Sequence, residues 1–132
     1  MKEVLAIIRQ NKINPTKRAL VAAGFPSFTA SAVMGRGKRP LDRELVEAMD
    51  SGTLDAQEVL PILARGPALL QKRMLSLIVP DKAVPKVVET LIQENRTGNP
   101  GDGKIFVLPI QDAIRVRTGE TGDAAIDEMA GA

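Results

Sequence analysis

Residues 3–9 alternate, with Val4, Ala6 and Ile8 on one face and Leu5, Ile7 and Arg9 on the other, which predicts a strand. Asn14-Pro15 then offers a helix N-cap and an N1 proline. Residues 15–23 are helical in composition, and Gly24 stands where a helix should end. Residues 28–34 and 73–79 read as second and third strands, the latter stopped by Pro80. Asp81 can cap a second helix, on which Val84, Val87, Val88, Leu91 and Ile92 recur at the spacing of one helical face. Pro85 falls in its first turn, where a missing N–H costs little. This helix should end near Thr97-Gly98. Residues 104–110 read as a fourth strand, and Ile114 to Arg117 as a short fifth. The Gly-, Asp- and Ala-rich tail, residues 119–132, is expected to be flexible.

The order is β-α-β, a long insert, then β-α-β. That predicts one α+β domain over 1–132 of the ferredoxin-like βαββαβ type, an antiparallel sheet with two helices on one face. The insert, residues 35–71, is the anomaly, because hairpin loops usually have about 2–5 residues. It starts basic, with Arg36, Lys38 and Arg39 around Gly35 and Gly37. Leu41, Leu45, Val46 and Met49 fall close to one helical face, and Asp55 and Glu58 have capping-box-like spacing. It is either a small subdomain packed on its own sheet or an arm that presents apolar stripes to a partner.

Between the second helix and the fourth strand lies Thr97-Gly98-Asn99-Pro100-Gly101-Asp102-Gly103-Lys104. Glycines let successive backbone N–H groups converge on an anion, and a lysine adds charge. The spacing from Gly98 to Gly103-Lys104 fits Gly-x-x-x-x-Gly-Lys, the start of a P-loop. Ile105, however, stands where a P-loop needs Ser or Thr for magnesium, and helix precedes strand here, the reverse of a P-loop. A helix cap and turn is the competing reading.

Composition narrows the chemistry. The chain has 132 residues and no Cys, His, Trp or Tyr. The usual general base near neutral pH and the commonest ligands for zinc, copper and iron–sulfur centres are therefore missing. Any metal should be hard and oxygen-bound, such as magnesium on a nucleotide, and none is expected from protein side chains. Net charge is +2, from 18 basic and 16 acidic residues, which gives no global case for nucleic acid. Three Phe are its only aromatics, so stacking platforms for single strands are lacking. No apolar run is long enough to span a bilayer, no signal-peptide pattern opens the chain, and a cytoplasmic setting is expected.

Four basic clusters remain: Arg36/Lys38/Arg39, Lys72/Arg73, Lys104 and Arg115/Arg117. Arg115 and Arg117 sit two apart, so on a strand both would point one way and could grip phosphate oxygens. Lys72, where the insert returns, could pair a carboxylate. No carboxylate pair or activated nucleophile stands out. The set suggests a polyphosphate ligand without catalysis.

These residues resemble the P-II nitrogen signalling proteins. The resemblance rests on Gly101-Asp102-Gly103-Lys104-Ile105-Phe106-Val107 and on Asp112-Ala113-Ile114-Arg115-Val116-Arg117-Thr118-Gly119-Glu120. Ala6-Ile7-Ile8-Arg9, Ala23-Gly24-Phe25 and Val33-Met34-Gly35-Arg36-Gly37 agree, so all but about residues 40–70 are covered. The resemblance implies a non-catalytic trimer with ATP or ADP, carrying magnesium, in clefts between subunits. Gly101, Asp102, Gly103 and Lys104 would hold the nucleotide. Arg115 and Arg117 would reach it from a neighbouring subunit, and Thr29, Thr97, Gly37 and Lys38 match positions near it. Lys72 matches the lysine that pairs with 2-oxoglutarate, and the insert matches the T-loop that docks on targets. Arg39 stands where the family usually has a Gln that helps hold magnesium and 2-oxoglutarate; it would repel the metal and could attract a carboxylate. Lys38 replaces a common Arg, and the family's uridylylated Tyr has no counterpart.

Short strings such as Gly24-Phe25-Pro26-Ser27-Phe28, Lys72-Arg73-Met74 and Asn95-Arg96-Thr97-Gly98-Asn99 look most like the second member of the paired nitrogenase-associated P-II proteins. That likeness implies a sister P-II protein in a hetero-oligomer and dinitrogenase as target. The alternative is a P-II-type regulator of an ammonium transporter or another nitrogen-metabolism enzyme. The lost Tyr and the unusual insert sequence count against the transporter.

Overall fold

The computed structural model of the chain describes residues 1–37, Gly52 and 69–132. Strand β1 is Lys2–Arg9 and is followed by a 3-10 turn, Gln10–Lys12, and helix α1, Ile13–Ala22. Strands β2, Thr29–Gly35, and β3, Leu70–Val79, flank the insert. Helix α2 is Val84–Asn95, strand β4 is Lys104–Pro109, and a 3-10 helix covers Gly122–Met129. The sheet is antiparallel with order β2-β3-β1-β4, and both α-helices are on one side: the ferredoxin-like α+β arrangement.

Alternation along β1 and β3 decides which face is covered. Val4, Ala6 and Ile8 are buried, as are Leu75, Leu77 and Val79 on the adjacent strand. Leu20 of α1 and Val87 and Leu91 of α2 pack on that face, joined by Phe25 and Met129. The helical stripe predicted for α2 is buried at Val87 and Leu91, but its outer rim, Ile92, is 37% exposed. A polar pin joins the helices inside the core. The Asn95 amide donates to the Thr16 hydroxyl (3.1 Å) and to the Leu91 carbonyl (2.9 Å). The Thr16 hydroxyl in turn donates a hydrogen bond to the Lys12 carbonyl (2.7 Å), so the donors of both buried groups are used.

Helix ends follow local chemistry, with shifts from the sequence reading. Gly24, at φ 91°, closes α1: its N–H bonds the Val21 carbonyl and the Phe25 N–H bonds the Leu20 carbonyl, a Schellman motif. Helix α1 begins two residues before the expected start, because the 3-10 turn leads into it; Asn14 is therefore not its cap, and Pro15 still falls in the first turn. Asp81 does not cap α2 either. Its carboxylate takes the N-terminal ammonium (2.5 Å) while Lys2 stands 3.6 Å away. Helix α2 ends at Asn95, before Gly98, because Arg96 is already extended.

Two further expectations are corrected. Among the described residues the fifth strand is absent. Only a single bridge, Ile114 to Thr121, forms there, because the chain turns over between those residues. The C-terminal segment expected to fray is docked: Ala125, Ile126 and Met129 are buried, and the Ala132 N–H bonds the Ala23 carbonyl (2.9 Å). Its apolar residues are spaced for a helical turn, so the Gly-rich composition misleads. The expected insert helices, around 41–49 and 55–58, lie outside the described residues.

Met129→Ala tests this docking. Truncating a buried Met typically costs about 2–5 kcal/mol. A loss of unfolding free energy of that size, read from a lowered urea midpoint at unchanged m, is expected, whereas a frayed tail would leave the midpoint unchanged.

Candidate functional site

The strand register assembles a cationic end of the sheet. Arg9, the last residue of β1, pairs with Lys72 of β3, and Ile7 pairs with Lys104, the first residue of β4. By alternation Arg9, Lys72 and Lys104 share the face opposite the helices. Thr29 is on the same face. Its partner Ser76 is four residues from Lys72, about 13 Å along the strand at ~3.3 Å per residue. Gly37 lies just beyond the end of β2, beside the start of β3. Lys38 and Arg39 lie outside the described residues.

The connection from α2 to β4 is held by its own acidic residue. The Asp102 carboxylate accepts the N–H of Thr97 (2.8 Å), the N–H of Gly98 (3.0 Å) and the Thr97 hydroxyl. The Arg9 guanidinium donates to the same carboxylate, to the Thr97 hydroxyl (3.2 Å) and to the Pro100 carbonyl (3.0 Å). The Lys72 ammonium donates to the Gly101 carbonyl (3.0 Å). Gly103, at φ 113°, lets the loop lie against β1: a Cβ there would be 1.9 Å from the Ile7 carbonyl oxygen. No other residue type fits that approach.

The charges respond to this arrangement. Asp102 is held far below the ordinary carboxylate range, first by the hydroxyl and N–H of Thr97 and then by Arg9 and the Gly98 N–H. Lys72 is shifted down by partial burial and by the nearby Arg9, with Asp102 opposing. The loop's one carboxylate is thus spent on internal bonds. Lys104 is left at the loop's exit beside two further cations, a donor set suited to an anion with several oxygens. Among the described residues, no group of three or more Asp, Glu, His or Cys is placed to hold a metal ion.

The structure thus brings Thr97, Gly101, Asp102, Gly103 and Lys72 together at one end of the sheet, with Lys104 on the same face at the start of β4. Arg9 is a residue of this cluster that the sequence reading did not single out as a candidate. Its signal was present, since the alternation of β1 puts it on the face opposite Val4, Ala6 and Ile8, but only the pairing with β3 sets it beside Lys72.

Arg115 and Arg117 are not drawn to this loop within one chain. The Gly119 N–H bonds the Arg115 carbonyl (2.7 Å) and the Arg115 N–H bonds the Glu120 carbonyl (2.9 Å), so a tight turn replaces the strand on which both were expected to point one way. Arg115 donates to Glu120 (2.8 Å), Asp127 (2.7 Å), Glu128 (3.2 Å) and the Ala125 carbonyl (3.3 Å). Asp127 is the main cause of its raised pKa. Arg117 is exposed, and Val116 between them is 99% exposed.

The lowered pKa of Asp102 sets a sign. The folded loop prefers the carboxylate, so its stabilisation is fully present above the ordinary Asp value and is lost as pH falls below about 4. In an NMR titration the Thr97 and Gly98 amides should follow a midpoint well below that value, and Asp102→Asn should abolish the transition. Titration at the ordinary Asp value would refute the assigned bonds.

A family profile described as nitrogen regulatory protein P-II matches residues 1–120. "Nitrogen fixation nifHD region GlnB-like protein 2" of Methanobacterium ivanovii is 49% identical over 127 residues, 96% of this chain and 99% of the relative. The protein of the same name from Methanothermococcus thermolithotrophicus is 43% identical over 129 residues, with 96% and 98% covered. "Nitrogen regulatory protein P-II 2" of Methanothermobacter thermautotrophicus is 37% identical over 126 residues, with 96% and 97% covered. With the profile running through the strands, the glycine loop and the Arg115 turn, and relatives alike over almost their whole length, the chain belongs to the nitrogen regulatory protein P-II family.

Proposed function

We propose that this protein is a non-catalytic nitrogen and energy sensor that regulates nitrogenase. ATP or ADP, with magnesium on the nucleotide, binds at Thr97 and Gly101–Lys104 with Thr29, Gly37 and Lys38 around it. The effector 2-oxoglutarate pairs with Lys72 and Arg39. The insert between β2 and β3, residues 36–69, carries the bound state to dinitrogenase. The observation that carries this reading is the anchored glycine loop: its carboxylate is neutralised internally while Lys104, Lys72 and Arg9 share one face beside it. Such a fixed loop meets a phosphate without an ordering cost. The P-II membership and the nifHD-region names of the relatives support nitrogen fixation as the setting.

The working unit is a trimer, in which Arg115 and Arg117 reach the loop of a neighbouring subunit, and a sister P-II protein joins it. The surface supports association. Strand β4 is an edge of the sheet, and Phe106, Val107 and Leu108 on it are 47%, 47% and 38% exposed. Phe106 and Leu108, with Leu5 as the cross-strand partner of Phe106, form an apolar strip on the face away from the helices, while Val107, opposite Val4, is exposed at the edge of the helix-covered face. An exposed apolar strip on an unpaired edge strand is a surface that another copy covers. Among the described residues no helix is long and apolar enough to cross a membrane.

Isothermal titration calorimetry should detect ATP binding, weakened more than about tenfold (~1.4 kcal/mol) by Lys104→Ala or by Arg115→Ala. Unchanged affinity in both variants would sink the site assignment. Dinitrogenase should be captured by the full chain and not by a chain lacking residues 41–70; retained capture would count against the insert as the docking arm.

A further inference from the structure

We infer that the carboxylates of the C-terminal segment act as a competitive latch on Arg115, which a polyphosphate must displace before it can engage that arginine. The inference rests on the nucleotide reading above, in which Arg115 contributes to phosphate binding. Its basis is the set of bonds that Arg115 makes within its own chain. Nη1 donates to Glu120 at 2.8 Å, and Nη2 donates to Asp127 at 2.7 Å and to Glu128 at 3.2 Å.

Carboxylates and phosphates offer a guanidinium the same kind of oxygen, so both seek the same N–H fork. Three carboxylates on one cation also leave an excess of negative charge, which repels an incoming anion. A phosphate therefore replaces the carboxylates rather than joining them.

The latch is built to yield. The carboxylate side chains of Asp127, Glu120 and Glu128 are 67%, 42% and 38% exposed, and exposed ion pairs are weak. The backbone behind them is held separately. Ile126 and Met129 are buried, the Ala132 N–H bonds the Ala23 carbonyl, and Gly131 lies against Phe25. Displaced carboxylates thus stay tethered near Arg115 and compete at a high effective concentration. The apolar anchor supplies the tether, and the acidic residues supply the competition.

Calorimetry with ATP on the full chain tests this, using Asp127→Asn/Glu128→Gln with and without Arg115→Ala. Circular dichroism confirms the fold of each variant. The acidic double variant should bind ATP about three- to tenfold tighter, the range expected when exposed ion pairs are removed. The gain should vanish when Arg115 is Ala. Equal or weaker affinity in the double variant overturns the latch, and so does a gain that persists without Arg115, which would mark a general charge effect. ATP binding that Lys104→Ala weakens but the tail variants leave unchanged overturns the latch alone. No ATP binding by any variant overturns the nucleotide reading together with it.

Discussion

The glycine loop depends on one ion pair that crosses most of the chain. Arg9 ends the first strand and Asp102 sits 93 positions later, yet their side chains meet and share Thr97 as a common partner. Asp102 by itself gathers the Thr97 and Gly98 ends of the loop, and the Arg9 pair ties that gathered loop to β1. Two backbone N–H groups converge on the carboxylate inside the loop, and the Arg9 guanidinium closes the other side. A fully exposed pair contributes little on average, but the Arg9–Asp102 pair is partly buried. This one is more constrained, because the same guanidinium also holds a hydroxyl and a carbonyl and its strand is fixed by neighbours on both sides.

The sheet explains why the pair can form at all. Its covered face carries the core, so β1 cannot slip by one residue without turning Val4, Ala6 and Ile8 outward. That same register fixes Arg9 against Lys72 and Ile7 against Lys104. Core packing on one face thus positions cations on the other. The outer face keeps an apolar strip along β4, which gives the fold a reason to associate.

The C-terminal segment divides its labour in a comparable way. Ile126 and Met129 bind it to the core, and its acidic residues surround Arg115. The two candidate phosphate-binding parts, the glycine loop and the Arg115 turn, make no hydrogen bond to each other among the described residues. A site completed between subunits would bring them together, and in each subunit the arginine is meanwhile satisfied by its own tail.

Much of this was legible in the residues themselves. Period-two alternation located the four strands within a few residues, and the spacing of Val87 and Leu91 located the buried stripe of α2, because side-chain periodicity follows directly from backbone geometry. The glycine loop and its lysine were legible as well, since only glycine permits such a backbone. Tertiary structure alone decided the rest. Arg9 belongs to the site through a pairing with a strand more than sixty residues away, and no local pattern encodes that. The tail packs rather than frays because a surface at Ala23 and Phe25 receives it, a surface that exists only once α1 has folded. Arg115 and Arg117 part company because a turn closed by backbone hydrogen bonds overrides an alternation that reads as strand. In each case a residue's neighbours in the chain fixed its conformational preference, and its distant contacts fixed its chemistry.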